Sequence, residues 1–220
     1  RFGLGELRRL CRAVRGDGRS AATEFKPIRA VSPTMRATLE TLGIVCLVGL
    51  TQVAGRLAGL GPMFALSAPL SVAPWTVVTS VYAHASVGHL LANAVALAVV
   101  GPLVERRTTR LRFHAFVVAA GGVAGITQVT LGSIVGPPTA VVGISGAVFA
   151  LGGYLLAGNA LTATAFDRLK LTPRVQVAVF GGLAVLLTVV TAAPGVALVA
   201  HAAGAFCGLV AGRARLLDVR

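Results

Sequence analysis

The strongest constraint in this sequence is the spacing of its charged residues. Three tracts contain no Asp, Glu, Lys or Arg: 57–104, 113–166 and 175–212, which are 48, 54 and 38 residues long. A helix needs about 20 predominantly apolar residues to cross the hydrocarbon core of a bilayer, and helices buried in soluble proteins are much shorter than these tracts. The sequence therefore predicts an all-α polytopic membrane protein.

Glycine-proline breaks and short basic segments divide the tracts into six predicted transmembrane helices. Their approximate bounds are 41–60, 87–104, 113–131, 141–161, 175–192 and 196–212. We expect three regions along the chain. These are a basic cytoplasmic or interfacial segment over 1–39, a six-helix membrane domain over 40–212, and a short basic cytoplasmic tail over 213–220.

The positions of the basic residues predict the orientation in the membrane. Of the 20 Lys and Arg residues, nine precede the first span, four lie between the second and third, three between the fourth and fifth, and three follow the sixth. The remaining one, Arg56, is interpreted as extending to the outer interface. Because Lys and Arg accumulate in cytoplasmic loops, both termini are predicted to be cytoplasmic. The net charge of +13 then marks topology, so no nucleic-acid partner is expected.

A small set of polar residues interrupts the even-numbered spans. His84, His89 and Asn93 lie at the start of the second, Ser145 near the start of the fourth, and His201 in the sixth. With the predicted orientation, all five fall in the outer half of the membrane. Polar and ionisable side chains are costly in a bilayer, so these residues are candidates for a functional site.

The acidic residues limit the chemistry that such a site can perform. All seven are predicted to be cytoplasmic: Glu6, Asp17, Glu24, Glu40, Glu105, Asp167 and Asp218. No carboxylate is then left at the outer level for a Ser-His-Asp triad, an aspartyl pair or a His-Glu-x-x-His zinc site. No metal or other cofactor is expected. The chemistry that remains is a serine nucleophile with a histidine base, which predicts a dyad of Ser145 and His201.

The neighbours of Ser145 fit this chemistry. Gly143 and Gly146 allow backbone and substrate to approach closely, and the first N–H groups of a helix are available to an oxyanion. His89 and Asn93 are four residues apart and share a helix face, so they are predicted as further oxyanion donors.

Small residues predict how the two catalytic helices meet. Gly204 begins a series of glycines at four-residue intervals in the sixth span, and the fourth span also has small residues at helical spacing. This pattern favours close helix packing, which would bring His201 to Ser145. Phe149, one turn after Ser145, is placed to cover the imidazole ring.

Three motifs of this sequence resemble those of the rhomboid family of intramembrane serine proteases. In chain order they are His84-x4-His89-x3-Asn93, Gly143-Ile144-Ser145-Gly146 and Ala200-His201-Ala202-Ala203-Gly204. The resemblance covers about residues 40–212. It implies a rhomboid-like six-helix fold, Ser145 as nucleophile, His201 as base, His89 and Asn93 as oxyanion donors, and a supporting role for His84.

The same resemblance implies the partners of the protein. Substrates would be transmembrane helices of other membrane proteins, cut near their outer ends, and the location would be the plasma membrane of a prokaryote. The oligomeric state is left open. Two residues depart from the family pattern: Thr76 follows Trp75 where many members have Arg, and Phe149 stands where Tyr is common. Two alternatives remain, a proteolytically inactive rhomboid-like protein that binds membrane clients, and a small six-span transporter.

Overall fold

The computed structural model describes residues 35–60, 63–135, 140–190 and 197–219. The predicted basic segment 1–39 therefore lies outside the described residues up to position 34. Within the described ranges the structure is helical, apart from one isolated antiparallel bridge between Leu66 and Val141. The helices are α1 (Arg36–Leu57), α2 (Thr76–Tyr82), α3 (Val87–Glu105), α4 (Arg110–Val135), α5 (Ser145–Ala157), α6 (Ala160–Arg168), α7 (Pro173–Val190) and α8 (Leu198–Arg213).

The lengths of these helices confirm the prediction of an all-α membrane protein. Among the described residues, α1, α3, α4 and α7 are long and apolar enough to cross a bilayer. The apolar helices α5 and α8 have 13 and 16 residues. At about 1.5 Å per residue they extend for roughly 20 and 24 Å, less than the hydrocarbon thickness of about 30 Å. The six spans and the cytoplasmic termini stay predictions.

The fourth predicted span is shorter in the structure than in the sequence analysis. We expected a helix over 141–161, but α5 begins only at Ser145 and ends at Ala157. The preceding backbone is extended because Val141 pairs with Leu66. Gly143 then has a φ of +128°, in the left-handed region that favours glycine. The chain therefore enters the helix at the serine itself.

Two short helices were not predicted. Helix α2 lies between the first and second predicted spans, and α6 begins at the end of the fourth. Helix α2 follows Pro74 and Trp75, and the buried Thr76 donates a hydrogen bond from its hydroxyl to the carbonyl of Ala73 at 2.6 Å. Helix α6 starts after Asn159, whose side-chain oxygen accepts from the N–H of Thr162 at 2.8 Å, as capping residues do. Thr76, a departure from the family pattern, thus has a local structural role.

Helices α5 and α8 pack through their backbones. A Cβ atom added to any of three glycines of α8 would collide with a carbonyl oxygen of α5. The three contacts are Gly204 with Gly146, Gly208 with Ala150, and Gly212 with Tyr154. This close approach agrees with the packing expected from the glycine spacing.

The bundle has two ends that differ in their polar residues. At one end, which we call the charged end, α1 and α4 begin and α3 and α8 end. The buried carboxylate of Glu105 there accepts hydrogen bonds from the N–H groups of Ala37 and Thr38, at 2.8 and 3.0 Å, and from the Thr38 hydroxyl at 2.8 Å. These bonds satisfy the first N–H groups of α1, which explains why the helix starts at Arg36 and not at the predicted position 41.

The chain after α8 also packs against the charged end. Leu217 is buried, and the hydroxyl of Tyr154 donates to the carboxylate of Asp218 at 2.6 Å. Nearby, Glu40 lies 2.7 Å from Arg110 and 2.9 Å from His114. Residues 217 and 218 of the predicted tail thus contact the helices. The opposite end, where α3, α5 and α8 begin, is called the site end below.

Candidate active site

The central contact of the site joins the first residue of α5 to the first turn of α8. Nε2 of His201 lies 2.9 Å from Oγ of Ser145, which is hydrogen-bond distance. The two residues are 56 positions apart in the chain, and the glycine contacts between α5 and α8 bring them together. When Nε2 is unprotonated, the serine hydroxyl donates to it, as a nucleophile does to its general base.

The imidazole ring of His201 is held by packing. Phe149 stacks on it with ring centroids 4.3 Å apart and an interplanar angle of 22°. The ring is buried, and its other nitrogen, Nδ1, has no hydrogen-bond partner among the described residues. In a Ser-His-Asp triad a carboxylate orients this nitrogen. Here the ring instead stacks on the aromatic face of Phe149, which restricts its orientation.

His89 and Asn93 line the same cavity as the serine. A Cβ atom placed on Gly143 would lie 3.1 Å from Nε2 of His89 and 3.8 Å from Oγ of Ser145. The imidazole tip and the hydroxyl thus face the same small space, which the missing side chain of Gly143 leaves open. The buried Asn93 donates to the carbonyl of His89 at 3.1 Å, and its amide has a second N–H.

His89 lies in the first turn of α3, where the helix cap holds its backbone. The side chain of Ser86 accepts from the N–H of His89 at 3.1 Å and caps the helix. His84 lies behind, with its ring centroid 5.1 Å from that of His89. Its Nδ1 is 3.1 Å from the carbonyl oxygen of Tyr82, and its backbone N–H donates to Gln52 at 2.8 Å. His84 therefore contacts His89 and not the serine.

A cavity of about 680 Å³ opens onto the dyad. The predicted site residues that line it are Ser145, His201, His89, Asn93, Gly143, Gly146 and Phe149. His84 and Gly204 lie outside its wall: the first packs behind His89, and the second packs against Gly146. The lining residues include no carboxylate, and the described residues hold no group of three or more His, Cys, Asp or Glu placed to bind a metal ion.

Two glutamines at this site were missed by the sequence analysis. Gln128 of α4 lines the cavity and accepts from the N–H of Ala200 at 3.0 Å. Gln52 of α1 accepts from the N–H of His84. Gln128 lies within a charge-free tract, so the reasoning that selected Asn93 there, a costly amide in an apolar helix, would also have selected it.

Comparison with known proteins identifies the family of this chain. The model of the rhomboid domain matches residues 72–217, about two thirds of the sequence and all of the residues that line the cavity. A comparison with curated proteins finds no match. The family match, together with the four helices long and apolar enough to cross a bilayer, shows that this chain is an integral membrane protein of the rhomboid family.

Proposed function

We infer that this protein is a serine endopeptidase that cleaves transmembrane helices of other membrane proteins with a dyad of Ser145 and His201. The observation that carries this inference is the 2.9 Å contact between Oγ of Ser145 and Nε2 of His201, on a cavity lined by helices. Polar side chains are costly in an apolar surrounding, which makes this pair a candidate for function, and a hydroxyl next to an imidazole is the arrangement of an activated nucleophile and its base.

The geometry gives a balanced reaction. Nε2 of His201 removes the proton of Oγ, and Oγ forms a bond to the carbonyl carbon of the scissile peptide. The negative oxygen that results turns toward His89, Asn93 and the first N–H groups of α5. His201 then returns the proton to the leaving nitrogen as the C–N bond breaks. Water, activated by the same histidine, hydrolyses the acyl-serine ester.

Among the described residues no carboxylate contacts His201, which affects the first step. In a triad the carboxylate stabilises the imidazolium that forms when the base takes a proton. Glu40, Glu105 and Asp218 all lie at the charged end, where each has a protein partner. Proton transfer in this protein thus depends on orientation by Phe149 and on the oxyanion donors.

We extend the proposal to the membrane arrangement. Helices α5 and α8 cross together with the four long helices, and the site end faces away from the cytoplasm. The support is the distribution of basic residues: Arg106, Arg107, Arg110 and Arg112 lie at the charged end, and Arg56 at the site end. Accessibility of single cysteines placed at positions 71 and 107 to a membrane-impermeant reagent tests this orientation. Labelling of 107 and not of 71 from outside intact cells would contradict it.

The central experiment is cleavage of a single-pass membrane protein after reconstitution in liposomes. We expect the wild type to cleave it and to label at Ser145 with a fluorophosphonate, and Ser145→Ala to do neither. Ser71→Ala is the matched control, because Ser71 is exposed and outside the cavity wall. Undiminished cleavage by Ser145→Ala would refute the proposal. A folded wild type that binds membrane proteins but cuts none and takes up no label would point to the client-binding alternative.

A further inference from the structure

Helix α8 begins without a cap of its own. Its first flanking residue is Ala197, which has no side chain able to accept a hydrogen bond. The N–H groups of the first turn have no acceptor within the helix. The N–H of His201 bonds to the carbonyl of Ala197 at 3.1 Å. The base of the dyad thus lies at the least supported turn of α8.

A side chain from another helix supplies the missing cap. Oε1 of Gln128, in α4, accepts the hydrogen bond of the Ala200 N–H at 3.0 Å. Ala200 directly precedes His201, so the bond holds the backbone that carries the imidazole. Gln128 also lines the cavity that opens onto Ser145.

The amide of Gln128 lies against Gly132, one turn later in the same helix. Gly132 is buried, and a Cβ atom there would collide with Nε2 of Gln128 and lie 3.0 Å from its Cδ. The glycine therefore leaves the space that the amide occupies. Two positions of α4 together determine where Oε1 meets the start of α8.

We propose that Gln128 is a positioning residue, which holds the first turn of α8 at the height where His201 reaches Ser145. This proposal rests on the proposed proteolytic function. A shift of the first turn of α8 would move the imidazole, because its Nδ1 has no hydrogen-bond partner among the described residues. The position of the ring then depends on its backbone and on the stacking with Phe149. Small misplacements of a catalytic group reduce rates by large factors.

The sharpest test is Gly132→Ala. The added methyl group displaces the flexible end of Gln128, whereas alanine in a helix interior is at least as favourable as glycine. We expect the unfolding midpoint to change little, because the helix propensity gained with alanine offsets the lost cap of α8, while fluorophosphonate labelling of Ser145 slows by about 10-fold. Gln128→Met, which removes the acceptor at similar volume, should slow it similarly, with kcat for a membrane substrate reduced and KM within about twofold.

Thr130→Val is the matched control. Thr130 is exposed on the same helix, and its hydroxyl bonds only to backbone carbonyls within α4. It should label at the wild-type rate. Wild-type labelling by both Gly132→Ala and Gln128→Met, or an effect on KM alone, would overturn the positioning role. If the folded wild type itself took up no label at Ser145, the proposed function would fail and this proposal with it, so the two failures are distinguishable.

Discussion

The two ends of the bundle differ in the hydrogen bonding of their ionisable side chains. At the charged end, Glu105 accepts three hydrogen bonds and Glu40 pairs with two cationic side chains. At the site end, Nδ1 of His201 is buried and lacks a partner among the described residues. Satisfied groups stabilise the fold, whereas an unsatisfied buried group lowers its stability. The charged end therefore holds residues that stabilise the fold, and the site end holds the residues for which we propose a catalytic role.

The largest effect should come from removing the base. We expect His201→Ala to reduce cleavage by at least about 10³-fold, because the hydroxyl of Ser145 loses its proton acceptor. The free energy of unfolding should fall by no more than about 1–2 kcal/mol, because the lost contacts with Phe149 and Ser145 are offset in part by the removal of an unpaired buried nitrogen. Cleavage assays and thermal unfolding of the same preparation test both. If the variant were inactive and also markedly less stable, His201 would have a structural role, and the difference between the two ends would not hold.

The next effect concerns the contact that joins α5 to α8 at the site end. Gly204→Ala puts a methyl group against the carbonyl oxygen of Gly146, next to Ser145, so the two helices must separate. We expect about a 100-fold loss of cleavage, because the distance between base and nucleophile increases.

The control for this substitution is Gly181→Ala in α7, where an added Cβ meets nothing within 4 Å. It should leave cleavage unchanged. Equal activity of the two alanine variants would show that the backbone contact does not determine the distance between Ser145 and His201.

At the charged end the expected effect is on stability alone. Glu105→Gln replaces an acceptor oxygen with an NH₂ group that faces the N–H groups of α1, and should lower the free energy of unfolding by about 2–3 kcal/mol. Cleavage per folded molecule should remain within about twofold of the wild type.

Glu40→Gln provides the comparison at the same end, since its carboxylate is partly exposed and pairs with an exposed arginine. Its cost should be much smaller than that of Glu105→Gln, because solvent screens an exposed ion pair. Denaturant titration in mild detergent measures both variants. A loss of activity in Glu105→Gln at full folding would mean that the two ends are coupled.

The smallest effect is expected at Phe149. Phe149→Leu removes the aromatic face that stacks on His201 and should slow cleavage about fivefold, in line with the worth of an aromatic pair. Phe149→Tyr keeps the ring and should remain close to wild type. Initial rates at saturating substrate distinguish them. If leucine performs as well as tyrosine, the stacking does not orient the imidazole.

The fold class and most of the candidate site could be predicted from the sequence for the same reason. Long charge-free tracts have no stable place outside a bilayer, and polar groups within them stand out against that background. Ser145, His201, His89 and Asn93 were found in this way, and the structure brings them to one cavity. Their catalytic roles stay predictions.

The remaining features depend on contacts between distant segments. Helix α5 is short because Val141 pairs with Leu66, which no local pattern indicates. Helix α1 starts early because Glu105, far along the chain, accepts its first N–H groups. The oxygen of Gln128 that meets Ala200 belongs to the same class: the residue type could be noticed, but its partner could not.

The backbone contact between α5 and α8 has a mechanical consequence. Where helices meet through side chains, a change of rotamer can absorb a shift of one against the other. Main-chain atoms have no such freedom, so Ser145 and His201 are carried by what amounts to a single rigid body. If the proposed function is correct, a movement that admits a substrate must come from the surrounding helices, so that the distance between Ser145 and His201 is preserved.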